Sequence, residues 1–134
     1  MVQTKIKETK ETTTYRLTHD LFRQSNTYMS KKSVNKKIQE VVDKIVREFK
    51  PEKVILFGSH AWGEPTEDSD VDLFVIKNVE DTRSCAREID GSIVPRPFPL
   101  DVLVYNQEQV NKSLARNNFF IKNIFSKGRL LYAA

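Results

Sequence analysis

The sequence predicts a small α/β domain, a mixed β-sheet flanked by helices, and three observations predict it. Apolar residues recur at helical spacing over 34–49. Three short runs of β-branched and apolar residues follow, at 54–57, 71–76 and 100–105, and helical patterns alternate with them. A chain of 134 residues with 39% hydrophobic content supplies one compact domain and is too short for two well-packed ones.

The chain divides at about Ser33. Residues 1–33 are rich in Thr, Lys, Ser and Gln, with scattered apolar positions such as Tyr15, Leu17, Leu21 and Phe22. This composition suits a polar arm or an interaction segment, with room for a short helix around 18–24. The domain proper spans 34–134. Its first helix carries Val34, Ile38, Val41, Val42, Ile45, Val46 and Phe49 on one side, and pairs Glu40 with Lys44 and Asp43 with Arg47 one turn apart. Pro51 ends it.

The first strand, 54–57, stops at Gly58 and Ser59, and a polar loop leads to the second strand at 71–76. Residues 79–89 read as a helix. Pro95, Pro97 and Pro99 then impose an extended path before "LDVLVY", the third strand, which carries Asp101. Asn106 followed by Gln109 has the form of a capping box, opening a helix through Val110, Leu114, Phe120, Ile121, Ile124 and Phe125 that Gly128 terminates. "RLLY" supplies a last short strand.

Composition excludes some functions. No apolar run approaches the roughly eighteen residues of a membrane span, and the mean hydropathy is -0.51. Cys85 is the single cysteine, and no signal-peptide pattern opens the chain, which reads as cytoplasmic. The formal net charge of +4 suits an anionic partner, but Lys and Arg are interspersed with acids, so nucleic acid is possible but not indicated.

The chemistry gathers at "FGSHAWGEPTEDSDVDLFVI". At i and i+2 of a strand, Asp70 and Asp72 share one face, and two carboxylates so close repel unless a cation sits between them. Mg²⁺ is the natural occupant, because it accepts one or two carboxylates and completes its shell with water and phosphate oxygens. Gly58 lets the backbone approach such a phosphate, and Ser59 offers a hydroxyl and the start of a short helix. If Asp101 lies beside the second strand, it joins the metal site and takes the proton of an attacking hydroxyl.

Two other motifs fail on spacing. Gly58 and Gly63 are separated as in a P-loop, but Glu64 and Pro65 stand where Lys and Ser/Thr are required. Asp68, Asp70 and Asp72 imitate an EF-hand loop, but Leu73 replaces its glycine and Val79 its glutamate. His19, His60 and Cys85 have no metal-ligand spacing.

Gly58-Ser59, Asp70-x-Asp72, the later Asp101 and the ending "GRLLY" together resemble the minimal nucleotidyltransferases of the DNA polymerase beta superfamily, over roughly 34–132. The resemblance implies the polymerase beta-like fold, with Asp70, Asp72 and Asp101 as catalytic residues ligating Mg²⁺ in a two-metal site. Gly58 and Ser59 would bind ATP or another nucleoside triphosphate. It further implies transfer of a nucleoside monophosphate, AMP in particular, to a hydroxyl with release of pyrophosphate. Many small members are antitoxins that sit beside a helical HEPN-domain protein, and some are thought to modify that partner. A non-catalytic antitoxin that retains a nucleotide site is the alternative, and self-association is left open. In one respect the chain departs from the family: Trp62 stands where small members usually carry an arginine.

Overall fold

The computed structural model describes residues 31–66 and 68–134, and the expected arm at 1–33, with its helix around 18–24, lies almost wholly outside them. Residues Lys37–Ala134 form one compact unit. Four strands, β1 (Lys53–Phe57), β2 (Val71–Ile76), β3 (Leu100–Tyr105) and β4 (Arg129–Ala133), form one mixed sheet in the order β3-β2-β1-β4. β1 runs antiparallel to β2 and β4, whereas β2 and β3 run parallel. A parallel pair needs a crossover, and α3 (Thr82–Ser92) supplies it.

Register decides which residues share a face. Ile55, Phe57, Phe74 and Ile76 point to one side and pack with Val110 of α4 (Gln107–Ala115) and with Ile121 and Ile124 of α5 (Phe119–Lys127). Leu103 and Tyr105 of β3 border the same cluster. The alternate residues Val54, Leu56, Val71, Leu73, Val75 and Val104 are buried on the other side. The further buried side chains are Ile38, Val41, Val42 and Ile45 of α1 (Lys31–Phe49) and Cys85 and Ile89 of α3. Helices therefore flank both faces, as the alternation of patterns predicts.

Local chemistry sets the boundaries. α1 closes at Lys50, which takes a left-handed φ of 50° before the buried Pro51, and Lys77 at the end of β2 donates to the Phe49 carbonyl. The side-chain pairs along α1 differ from the expected ones: Asp43 accepts from Gln39 and Lys44 pairs with Glu48. α3 starts later than expected because the Asp81 side chain accepts from the Ser84 N–H at 2.9 Å and caps it. The Asn106–Gln109 capping box is present in both directions.

The expected single helix after Asn106 is two. Asn117 adopts φ 58° and Asn118 caps α5 by accepting from the Ile121 N–H at 3.1 Å. Asn is among the few non-glycine residues that tolerate this conformation, so the Asn-Asn pair turns the chain and restarts the helix. No helix among the described residues is long and apolar enough to cross a membrane.

Candidate active site

β1 ends at Phe57, which lies opposite Asp72 across the antiparallel ladder. The chain then turns at Gly58 with φ 77°, a region closed to most side chains. Space is the second requirement, because a Cβ at Gly58 would fall well inside contact distance of Asp72 Oδ2. Glycine thus brings bare backbone against a carboxylate. Ser59 begins the short helix α2 (Ser59–Trp62), whose Ala61 and Trp62 N–H groups both donate to the Gly58 carbonyl at 2.9 and 3.0 Å. The N-cap position belongs to Gly58, so Ser59 is the first residue of the helix.

From α2 the polar loop returns to β2. His60 Nε2 donates to the Ser69 carbonyl at 3.4 Å, so the histidine ties α2 to the residue preceding Asp70. Within the loop, Ser69 Oγ accepts from the Thr66 N–H at 2.9 Å. The Val71 N–H donates to the Pro99 carbonyl at 2.8 Å, which aligns the start of β2 with the start of β3.

That alignment places Asp72 directly beside Asp101 in the parallel register. In-register residues of parallel strands project to the same face, so the two carboxylates meet at the end of the face that α4 and α5 cover further along. Asp70 and Asp101 are exposed, whereas Asp72 is partly buried. Burial first, then the charge of Asp101, then that of Asp70, push the Asp72 carboxyl up from 3.8 to about 6. The sequence pairs Asp72 with Asp70; in the structure Asp101, 29 positions on, acts on it more strongly than its near neighbour does.

A half-buried carboxylate with two further carboxylates acting on it at the end of a sheet, beside a turn that exposes backbone, fits a divalent cation and a phosphate by donor chemistry. The three do not converge into a closed cage: among the described residues no group of three His, Cys, Asp or Glu side chains is gathered tightly enough to hold an ion by itself. Trp62 is 43% exposed at the end of α2. Phe120 of α5 packs edge-on against Phe57, with ring centroids 5.7 Å apart, so an aromatic borders the acidic end of the sheet. Sequence periodicity had placed Phe120 only as one more apolar position of a helix.

Known proteins now give this geometry a family. The model of the family "Polymerase beta, Nucleotidyltransferase" matches residues 36–134. A protein of Methanocaldococcus jannaschii, provisionally named a protein adenylyltransferase, is 30% identical over 99 residues, which is 72% of this chain and 96% of that protein. A 1.40 Å crystal structure from Sulfolobus solfataricus, provisionally described as a nucleotidyltransferase, superposes with a TM-score of 0.54. It shares 17% identity and covers 77% of this chain and 83% of its own, a likeness of fold. The chain belongs to the polymerase beta nucleotidyltransferase family, as one of its minimal members. It is thus a transferase acting on nucleoside triphosphates.

Proposed function

We propose that the protein transfers AMP from ATP to a hydroxyl group of an acceptor protein and releases pyrophosphate. The observation that carries this reading is the side-by-side placement of Asp72 and Asp101, with Asp70 acting on the same carboxyl, next to the bare backbone of Gly58. The name of the M. jannaschii relative supports a protein as acceptor.

In this reading the backbone at Gly58 and the hydroxyl of Ser59 hold the triphosphate. The acceptor oxygen forms a bond to the α-phosphorus as the bond from that phosphorus to the bridging oxygen breaks, and pyrophosphate departs. Asp101, exposed at the edge of the acidic group, takes the hydroxyl proton. Asp70, Asp72 and Asp101 would hold Mg²⁺, which when bound supplies positive charge against both the carboxylates and the triphosphate. The family resemblance supports a helical HEPN-domain protein as acceptor, a toxin–antitoxin setting, and action in the cytoplasm.

The test is incubation with α-³²P-labelled ATP and Mg²⁺ in host lysate, followed by separation of protein, RNA and small-molecule fractions. Label in protein that disappears with Asp101→Asn is expected. Label in RNA or small molecules alone would overturn the choice of acceptor, and no label in any fraction would overturn catalysis.

One observation favours a second reading, a non-catalytic antitoxin that retains its nucleotide site. Trp62, rather than an arginine, stands beside the turn and is 43% exposed, which leaves less positive charge for a triphosphate and more apolar surface for a partner. Co-expression with a HEPN-domain partner separates the two. Protection by a chain carrying both Asp70→Asn and Asp72→Asn indicates the binding module, and loss of protection indicates the enzyme.

A further inference from the structure

Charge is unevenly distributed along this chain. Glu108 is its last acidic residue; the stretch from Gln109 to Ala134 contains Lys112, Arg116, Lys122, Lys127 and Arg129 and no Asp or Glu. Since the formal net charge is +4, the remainder of the chain is close to neutral. Lys112, Arg116, Lys122 and Lys127 are exposed; Arg129 also has exposed surface, but burial of its guanidinium lowers its pKa and the group is engaged by a partner. Lys122 donates to Asn117 Oδ1 at 3.0 Å, and Lys112 lies 3.5 Å from Glu108 in an exposed pair worth little. Arg116 and Lys127 form no ion pair among the described residues.

The same stretch exposes large apolar groups. Phe119 is 75% exposed, Phe120 48%, Phe125 39% and Leu130 of β4 54%. Together with Trp62 and Val94 they are the exposed large hydrophobics among the described residues, so four of six fall within α5 and the start of β4. The patch also reaches the acidic end of the sheet: Phe120 rests on Phe57, and Phe57 lies opposite Asp72.

We propose that the α4–α5 surface is the docking face for the acceptor, and that it takes a protein segment carrying acidic side chains around apolar anchors. This inference rests on the reading of the acceptor as a protein. Charge complementarity selects the acidic partner, because the four exposed cations Lys112, Arg116, Lys122 and Lys127, on a stretch with no acid of its own, attract carboxylates and repel basic proteins. The exposed Phe and Leu side chains supply the anchors, and Arg and Phe are residue types enriched at such interfaces. Phe120 places the docked segment beside Asp72 and Asp101, where its hydroxyl is to react. A single-stranded RNA fits less well, since bases need free ring faces. Phe120 and Phe125 are each engaged edge-on with a core ring, Phe57 and Phe74, and Leu130 offers no ring at all, which leaves Phe119, among the described residues, as a single ring of this patch without a ring partner and no row of rings for successive bases.

The full chain, without ATP, is titrated against a fluorescent glutamate-rich Glu/Tyr copolymer and its binding followed by anisotropy. Wild type is expected to bind, more weakly as salt rises. The double variant Arg116→Glu/Lys122→Glu and the variant Phe119→Ala, each checked for an unchanged melting temperature, are expected to bind roughly tenfold or more weakly. The control Lys53→Glu, at the far end of β1, is expected to bind as wild type does. Failure to bind the copolymer, binding unchanged in both surface variants, or tighter binding of an RNA oligonucleotide of similar length would overturn the proposal. The two readings fail separately. Transfer of AMP to protein without copolymer binding removes this surface and leaves the function standing, whereas copolymer binding without transfer in any fraction does the reverse.

Discussion

Asp72 on β2 and Asp101 on β3 are direct neighbours across a parallel ladder, and it is Asp72, the more buried of the two, whose carboxyl is pushed up to about 6. A carboxyl held above its unfolded value of 3.8 binds its proton more tightly in the folded chain. Stability therefore falls as pH rises from about 3.8 through about 6, and stays at the lower level above that. Moving this carboxyl from 3.8 to about 6 corresponds to roughly 3 kcal/mol, which partial exposure reduces to about 1 kcal/mol. Asp72→Asn removes the penalty. Its melting temperature at pH 7.5 without divalent ions should exceed that of wild type by about 4 °C, with the advantage vanishing near pH 4. A variant less stable than wild type at pH 7.5 would contradict this account.

Gly58 meets two constraints at once, a φ of 77° and the nearness of Asp72 Oδ2. Gly58→Ala should cost about 1–3 kcal/mol through the backbone alone, because φ 77° with ψ -158° is a region that essentially only glycine occupies. The atom an added methyl would displace belongs to the candidate catalytic carboxylate, so activity should suffer more than stability. A misplacement of this kind is worth about 100-fold in rate. Thermal melts and AMP-transfer rates on the same preparation would check it, and near-normal transfer would count against the role given to this turn.

Gly128 is constrained in a different way. Its φ of -69° is ordinary, but a Cβ there would crowd the Ile124 carbonyl, the Ile55 side chain and the Leu56 carbonyl. Gly128→Ala should therefore destabilise by about 1–3 kcal/mol as an overpacking change between α5 and β1. The transfer rate per folded molecule should hold at a temperature well below the melt. Parallel loss of specific activity and stability would show that β1 and the site are more tightly coupled than this geometry implies.

Much of the architecture was legible because its signals are local. β2 and β3 were bounded by the switch between polar loop and β-branched run, and the Asn106–Gln109 box by its spacing. The break between α4 and α5 was missed because apolar spacing continues across it, although Asn117-Asn118 carried the signal: one residue tolerant of positive φ followed by a capping side chain. Asp70 and Asp72 were legible as a pair. Asp101 was legible as a third member only through the family resemblance and as a conditional neighbour of the second strand, since its nearness depends on a parallel register that α3 and the proline-rich loop bring about from 29 positions away. The cationic and aromatic surface after Glu108 was obscured by the chain-wide average, in which acids elsewhere cancel cations elsewhere. Counting charge by segment would have found it.

If Asp70, Asp72 and Asp101 hold Mg²⁺, the ion must compete with the proton on Asp72, so metal binding and pH should be linked. A bound cation favours the charged carboxylate and opposes the burial and like-charge repulsion that raise this group to about 6. Mg²⁺ should then stabilise wild type at pH 7.5, by about 2.7 kcal/mol at a hundredfold excess over its dissociation constant. The gain should shrink as pH drops below about 6, where Asp72 retains its proton. Asp72→Asn should show little gain at any pH, because it lacks the charge and already has the stability. Melting curves with and without Mg²⁺ across this range decide the matter: a gain independent of pH, or equal in the variant, would place the ion elsewhere.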